Sequence, residues 1–256
     1  MSRSLCITGM HRSGTSLTAS WLERCGLAID DGEVWGPEEG NVRGHFEDKA
    51  FVDLHTSAII NLHPRSRGWK AFPGNFLRFD EQGLARAHQL AERRSGKFDL
   101  WGWKDPRSVL FLQQWKALLP ELACLIIWRP WTGVAGSLIR RSRKSPHRHI
   151  KVSALGAARL YNCYGELVCR YKLQHPDDTL LLPLEMIIGD DGRALGLINE
   201  KFGLHLEHRP IREQFDAALM HREQEPVSVK LMGKLFGVGE TEARVEQLMD
   251  ARPETG

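Results

Sequence analysis

The chain has 256 residues, of which 42% are hydrophobic and 26% are charged, a composition typical of a folded globular protein and not of a disordered chain. The 35 Lys and Arg residues exceed the 32 Asp and Glu residues by only 3, an excess too small to predict a dedicated nucleic-acid-binding protein. A local anion-binding site is still compatible with this balance, because net charge does not show where the charges lie.

The cysteines, the amino terminus and the apolar runs indicate the cellular compartment in which the protein is expected. The five cysteines are odd in number and form no CxxC pair, which favours neither a disulfide framework nor a structural zinc site. No charged segment leads into an apolar stretch at the amino terminus, so no signal peptide is predicted. The longest apolar run, Leu122 to Trp128, is far shorter than the roughly 20 residues that span a bilayer. We expect a cytoplasmic protein with no membrane span and no nucleic-acid partner, whose oligomeric state the sequence does not fix.

Short apolar runs along the chain predict buried strands of a parallel sheet. They are Leu5–Ile7, the weaker candidate Leu100–Trp103, Leu122–Trp128 and Leu180–Leu184. Amphipathic stretches between and after these runs predict helices, several of which end at a Gly or Pro. These helices are Ser16–Cys25, Gln82–Arg94, Ser108–Leu119, Thr132–Arg143, Ser153–Tyr171 and Glu242–Asp250.

Strands that alternate with helices predict an α/β fold with three layers, in which helices flank a mainly parallel central sheet. We find no internal repeat and no low-complexity linker, so a single domain over residues 1–256 is expected. Two stretches rich in Gly, Pro and charge, Asp30–His45 and Pro64–Phe79, are predicted to be site-forming loops.

The strongest functional signal is the run Gly9–Ser16, G-M-H-R-S-G-T-S, which follows the first strand and opens the first helix. Backbone N–H groups of such a turn, with the positive end of the helix, form an anion site. The spacing is that of a P-loop, G-x-x-x-x-G, but Thr15 stands where an NTPase has the lysine that contacts the β- and γ-phosphates. Arg12 can supply the missing charge in a geometry suited to a tetrahedral oxyanion. The alternative is a Gly-rich turn without a ligand.

A second signal follows the Leu122–Trp128 run. Arg129 ends that run, and Ser137 lies eight residues on, about two turns into the next predicted helix. The carboxyl ends of parallel strands share one edge of a sheet, so Arg129 is expected near the first loop. An arginine and a helical serine at this edge can hold a second phosphate. The alternative for Arg129 alone is a solvated edge residue.

Together these residues resemble the sulfotransferases that use 3′-phosphoadenosine 5′-phosphosulfate (PAPS), in particular their bacterial or carbohydrate-type branch. In that family a lysine-less P-loop holds the 5′-phosphosulfate, and an Arg/Ser pair holds the 3′-phosphate. Three further stretches are similar to family motifs and extend the resemblance, in family order, from Leu5 to Gly203. They are Asn41–Glu47 (N-P-x-G-x-F-E), Trp101–Arg107 (W-x-W-K-D-P-R), and Leu182–Glu185 with Leu197–Gly203.

Two departures from the family pattern concern the ends of the donor site. Pro130 follows Arg129 at once, where relatives have one residue between, although the spacing to Ser137 is kept. The G-x-x-G-x-W loop that cytosolic sulfotransferases carry near the carboxyl terminus is missing. The adenine contacts and the carboxyl-terminal lid are therefore not assigned.

The resemblance implies a role for each candidate residue. Arg12, with Lys104 as the second candidate, would stabilise charge on the leaving phosphate oxygen. Glu47 would act as the general base, with His45 as the competing candidate. The alternative for Glu47 is a first-turn helix residue favoured by the helix dipole. The residues expected to bind the donor are His11, Arg12, Ser13, Gly14, Thr15, Ser16, Arg129 and Ser137. No metal site is expected, since His and acidic residues are not set at ligand spacing.

The implied reaction is sulfuryl transfer from PAPS to a hydroxyl or amine of a glycan or small metabolite, with adenosine 3′,5′-bisphosphate (PAP) as product. A kinase-like P-loop phosphotransferase is the alternative enzyme, disfavoured by Thr15. A catalytically silent nucleotide-binding module is the alternative outside enzymes. The basic stretch Arg140–Lys151 is interpreted either as a platform for anionic ligands or as a solvated helix end.

Overall fold

The computed structural model describes residues 2–29, 48–64, 66–70, 74–145, 151–213 and 227–251. Its centre is a sheet of four parallel strands in the order β2-β1-β3-β4. The strands are β1 (Arg3–Gly9), β2 (Leu100–Lys104), β3 (Ala123–Trp128) and β4 (Thr179–Pro183). All four predicted strands are thus confirmed, including the weaker one.

Helices connect the strands and continue after the last one. In chain order they are α1 (Thr15–Arg24), α2 (Lys49–Leu62), α3 (Glu81–Lys97), α4 (Leu112–Leu118), α5 (Trp131–Lys144), α6 (Ala154–Gln174), α7 (Leu184–Gly189), α8 (Asp191–Phe202), α9 (Val227–Leu235) and α10 (Val238–Gln247). In the part of the chain that is described, no helix is both long enough and apolar enough to cross a bilayer.

The sheet is buried on both faces because its side chains alternate between two hydrophobic clusters. In β1, Leu5 and Ile7 pack with α1, α7 and α8 on one face. Cys6 points to the other face, where α2 to α6 and the pair α9 and α10 pack. This arrangement confirms the α/β, three-layer fold with a parallel central sheet flanked by helices, and it explains why the strands are apolar without interruption.

Three helix predictions differ from the structure in ways that local chemistry explains. The stretch predicted as the helix Ser108–Leu119 begins as a 3₁₀ turn, Pro106–Phe111, and only Leu112–Leu118 is α-helical. Helix α1 begins at Thr15 instead of Ser16, because Gly14 is its N-cap and adopts a left-handed conformation. Helix α10 begins four residues before Glu242. Helix α2 was expected only from the helical alternative for Glu47, and α7, α8 and α9 were not predicted.

The strand order contains one switch point, at which successive strands are added on opposite sides of β1. From β1 the chain goes to β2 on one side and then to β3 on the other side. At this edge Gly9 of β1 pairs with Ile127 of β3, two residues before Arg129. Open α/β sheets bind ligands at the carboxyl ends of the strands at such a switch point. The predicted loop and Arg129 therefore flank the position where a ligand is expected.

Candidate functional site

The loop between β1 and α1 requires glycine at both ends. Gly9 has φ 147° and Gly14 has φ 97°, conformations that residues with a Cβ rarely adopt. A Cβ on Gly9 would lie 2.1 Å from the carbonyl oxygen of Ile127, and one on Gly14 would lie 2.4 Å from Leu184 Cδ1. The G-x-x-x-x-G spacing therefore reflects a loop that is pressed against β3 on one side and α7 on the other.

Ser13 has a buried polar atom that nothing in the described structure satisfies. Ser13 is fully buried, and its Oγ has no hydrogen-bond partner among the described residues. A Cβ on Gly9 would come within 2.9 Å of this oxygen, so the hydroxyl lies inside the turn of the loop. Leaving such a group unpaired costs about 1–3 kcal/mol. A loop that presents backbone N–H groups and an unpaired hydroxyl at a helix N-terminus fits the binding of an oxyanion.

Arg12 joins the loop to the segment after β3. It has φ 70°, a strained conformation for a residue with a side chain, and such strain collects at ligand sites. Its Nε donates a hydrogen bond to Ser137 Oγ over 2.8 Å. Nη1 of Arg129 lies 3.4 Å from the carbonyl oxygen of Arg12. Two guanidinium groups and one hydroxyl from three parts of the chain thus gather at the carboxyl edge of the sheet.

The position of Arg129 depends on a glycine in the first turn of α5. A Cβ on Gly133 would lie 2.4 Å from Arg129 Nε and 3.0 Å from Nη2. The guanidinium therefore occupies the space that any larger residue would fill. Burial lowers the pKa of Arg129, Glu185 opposes this shift, and the charge of Arg140 adds to it. Because an arginine stays protonated, an anion that replaced the lost water would stabilise it.

His11 is turned away from the centre of the loop. Its Nε2 lies 3.0 Å from the carbonyl oxygen of Gly68 and 3.2 Å from the hydroxyl of Tyr164. Its ring stacks on Trp69 with the centroids 4.3 Å apart, and only 4% of the residue is exposed. The side chain therefore fastens the loop to residues 66–70, and it is the His11 backbone that remains suited to a ligand.

A buried hydrogen-bonded cluster lies at the end of β2, and sequence reasoning missed it. The hydroxyl of Thr8 donates to the Asp105 carbonyl oxygen over 2.9 Å. His55 Nδ1 lies 2.9 Å from Asp105 Oδ2, and Trp115 donates through Nε1 to His55 Nε2 over 2.8 Å. Since Nε2 accepts this bond, the proton of His55 is on Nδ1 and is donated to Asp105. Lys104, just before, is completely buried.

Arg107 connects this cluster to the 66–70 segment. The backbone N–H and Nη1 of Arg107 each donate to Asp105 Oδ1 over 2.9 Å. Its Nε donates to the Arg67 carbonyl oxygen, and its Cγ lies against Gly68. Burial alone would raise the pKa of Asp105, but the Arg107 charge and the His55 hydrogen bond outweigh it and hold that pKa below its ordinary value. Asp105 and Arg107 therefore connect the end of β2 to the 66–70 segment, which contacts the loop through Gly68 and His11.

Glu47 and His45, the two predicted bases, lie outside the described residues, as does the predicted loop Asp30–His45. Asp48 is described, and it caps α2 and forms an ion pair with buried Arg94. Arg94 lies in the last turn of α3, four residues before Phe98, whose carbonyl oxygen bonds to Ser2 at the start of β1.

The ion pair holds the amino end of α2 against the last turn of α3. The assignment of Glu47, or of the competing His45, as the general base stays a prediction.

Comparison with solved structures decides the fold family. A sulfotransferase from Alicyclobacillus acidocaldarius matches with a TM-score of 0.57 at 16% identity, over 99% of this chain and 98% of that chain. The sulfotransferase domain of the Synechococcus PCC 7002 olefin synthase matches with a TM-score of 0.56 at 16% identity, over 99% and 96%. The chain has the sulfotransferase fold. The sulfotransferase domain from the curacin biosynthetic pathway matches with a TM-score of 0.51 at 12% identity, over 93% and 98%.

Sequence comparison gives a different and partial likeness to this sulfotransferase-fold chain. A stretch of 116 residues is 34% identical to part of a D-aminoacyl-tRNA deacylase from Staphylothermus marinus. It covers 44% of this chain, and it spans only 36% of the length of that relative. No family model matches the sequence.

Within the sulfotransferase fold, most of the predicted donor-binding residues come together. Ser13, Gly14, Thr15 and Ser16 form the turn and the start of α1, and Arg12 contacts Ser137 and Arg129. Among the described residues, no three His, Cys, Asp or Glu side chains are grouped to hold a metal ion.

Proposed function

We propose that this protein is a sulfotransferase that moves a sulfuryl group from PAPS to a hydroxyl or amine of a small-molecule or glycan acceptor. The observation that carries the proposal is the contact of Arg12 with both Ser137 and Arg129, beside the unpaired hydroxyl of Ser13. The fold shared with solved sulfotransferases supports it. The donor has two anionic groups, and this edge of the sheet offers two neighbouring sets of cationic and hydroxyl groups.

The donor would supply an activated sulfuryl group, and the residues of the loop, Arg129 and Ser137 would bind it or stabilise charge. The backbone N–H groups of residues 12–16 and the Ser13 hydroxyl would hold the 5′-phosphosulfate at the N-terminus of α1. Arg129 and Ser137 would hold the 3′-phosphate. Arg12 lies between the two sets, so its guanidinium would offset the negative charge that grows on the bridging oxygen as the S–O bond breaks. Product PAP would keep both phosphate contacts.

Lys104 remains the second candidate for this charge-stabilising role. It ends β2 in register with Ile7 of β1, two residues before the loop begins. Its complete burial means that it would act from behind the loop and not from an open pocket. We therefore assign it the smaller effect of the two cations.

The other functions considered for this site fit less well. A nucleotide kinase needs a cation on the β- and γ-phosphates, and Thr15, which occupies the lysine position, cannot supply it. A silent nucleotide-binding module would share the donor contacts, so only turnover separates it from an enzyme. The deacylase likeness covers less than half of the chain, and hydrolysis of a D-aminoacyl-tRNA serves as a control reaction for the assay.

A screen of acceptors with radiolabelled PAPS tests the proposal. We expect transfer of label to at least one hydroxyl or amine compound and loss of that transfer in Arg12→Ala. Glu47→Gln is the second variant, because removal of a general base lowers turnover about 10²–10⁴-fold. We expect a loss of this size, and a loss of less than tenfold would move the role of general base to His45. Tight PAP binding without transfer to any acceptor would favour the silent module.

A further inference from the structure

The backbone on both sides of Pro130 is held by side chains that are distant in sequence. The Trp131 N–H donates a hydrogen bond to Glu242 Oε1 over 2.5 Å, across 111 positions of the chain. The hydroxyl of Tyr161 lies 3.2 Å from the Arg129 carbonyl oxygen and 3.2 Å from Glu242 Oε1. The single proton of Tyr161 is therefore shared between two acceptors that flank the same peptide segment.

Glu242 takes the place of a missing helix cap. Pro130 is the N-cap of α5 and offers no side-chain hydrogen bond to the first turn. The Trp131 N–H is one of the four amides that every helix leaves unpaired at its amino end. A carboxylate at that end satisfies the amide and also complements the helix dipole. Glu242, a residue of α10, therefore bonds to the amino end of α5, two residues after Arg129.

Close packing keeps Glu242 in this position. Helix α10 lies against α6 where α6 has Gly165, since a Cβ there would come within 2.2 Å of Thr241 Cγ2. The Thr241 hydroxyl donates to Asn162 Oδ1 over 2.8 Å. Burial raises the pKa of Tyr161, and the charge of Glu242 raises it further, so Tyr161 stays protonated and remains a donor. The packing of α10 on α6 thus holds Glu242 in place, and the protonated Tyr161 stays its hydrogen-bond donor.

We propose that Glu242 is a positioning residue for Arg129, and that α10 acts as a support for the 3′-phosphate end of the donor site. This inference rests on the proposed function for the identity of the ligand that Arg129 holds. Glu242 does not touch that ligand. It accepts a hydrogen bond from the Trp131 N–H, and it contacts the Tyr161 hydroxyl that also lies against the Arg129 carbonyl oxygen. The Arg129 guanidinium lies against Gly133 of the helix that Glu242 caps.

Calorimetric titration with PAP and with adenosine 5′-phosphosulfate, which lacks the 3′-phosphate, tests the proposal. We expect Glu242→Ala to weaken PAP binding about tenfold and adenosine 5′-phosphosulfate binding less than twofold, as for loss of one supporting hydrogen bond. Glu242→Gln keeps an acceptor oxygen and should restore most of the PAP affinity. Glu246→Ala removes an exposed charge one turn along α10 and is the matched control.

Equal losses for both nucleotides in Glu242→Ala, or no loss for either, would overturn the proposal, because a merely structural role does not distinguish the 3′-phosphate. A second readout does not depend on nucleotide. The NMR signal of the Arg129 Nε–H, assigned with Arg129→Lys, should move in Glu242→Ala and stay in place in Glu246→Ala. If wild-type protein binds neither nucleotide, the proposed function fails, and the NMR comparison still decides whether Glu242 positions Arg129.

Discussion

Arg12 donates a hydrogen bond through Nε to the hydroxyl of Ser137, 2.8 Å away, although 125 positions of the chain separate the two residues. The contact closes the gap between the loop after β1 and the helix after β3. It brings the two predicted phosphate-binding sets into one cluster, so we expect their contributions to PAP binding to depend on each other.

A double-mutant cycle on this pair measures that interdependence. We expect Arg12→Ala and Ser137→Ala each to weaken PAP binding, and the double variant to lose less than the sum, with a coupling free energy of about 0.5–3 kcal/mol. The matched control pairs Arg12→Ala with Thr132→Ala, an exposed position on the same helix. Additive losses for Arg12 and Ser137 would mean that the two residues act at separate places.

The space beside Gly133 gives a selective way to displace Arg129. Alanine in a helix interior is more stable than glycine by about 0.5–1 kcal/mol. Because the Cβ in Gly133→Ala would meet the Arg129 guanidinium, we expect PAP binding to weaken at least tenfold while the protein stays folded. Gly136→Ala is the control, since its Cβ would lie 3.6 Å from Arg140 Nη1, an ordinary contact. Unchanged PAP affinity in Gly133→Ala would remove Arg129 from the donor site.

Alanine substitutions at Gly9 and Gly26 should differ in their effect on stability, because only the Cβ at position 9 meets a neighbouring atom. Gly9→Ala adds a left-handed strain of about 1–2 kcal/mol and a clash with the Ile127 carbonyl oxygen that costs about 1–3 kcal/mol more. Gly26 also has a positive φ, 107°, but its Cβ would meet nothing within 4 Å. In urea denaturation Gly26→Ala should therefore lower the free energy of unfolding only by the cost of the backbone strain, about 1–2 kcal/mol. Equal losses would show that the close approach of β3 is unimportant.

The four strands and the two loop glycines, Gly9 and Gly14, were predictable because they depend on local sequence. Apolar runs identify strands buried on both faces, and the G-x-x-x-x-G spacing identifies a turn with unusual backbone angles. Glu242 gave no such signal, because its role depends on how α10 packs against α6. The same holds for His55, whose partner Asp105 lies 50 positions away. Contacts between residues so far apart in the chain are set by the tertiary fold, and no local sequence pattern indicates them.

Two of the predicted site residues show that a motif does not by itself define the contacts of a side chain. His11 belongs to the loop motif, yet its ring packs under residues 66–70 beside Trp69. The K-D-P-R run predicts an active cation at Lys104, whose side chain is completely buried. Two other residues of the run, Asp105 and Arg107, bond to each other. A motif fixes the path of the backbone, and burial then decides which side chains face a ligand.

Asp105 should make the stability of the protein depend on acid pH. Its pKa is held below the ordinary value, so its stabilising contribution is complete above the unfolded pKa of about 3.9 and is lost as the pH falls below that. Asp105→Asn should lower the free energy of unfolding by about 3–5 kcal/mol at pH 7, because it breaks a buried ion pair.

Urea denaturation between pH 7 and pH 2 checks this dependence, with Asp53→Asn as an exposed control. The difference between wild type and Asp105→Asn should shrink as the pH falls below about 4. A difference that stays constant down to pH 2 would contradict the assigned ionisation.

Calorimetric titration of the wild-type protein with PAP and with ATP tests the central claim most directly. A site built for a nucleotide with phosphates at both ends should bind PAP at least tenfold more tightly than ATP, since ATP carries no 3′-phosphate and Thr15 gives its γ-phosphate no cation. Tight ATP binding without measurable affinity for PAP would contradict the account.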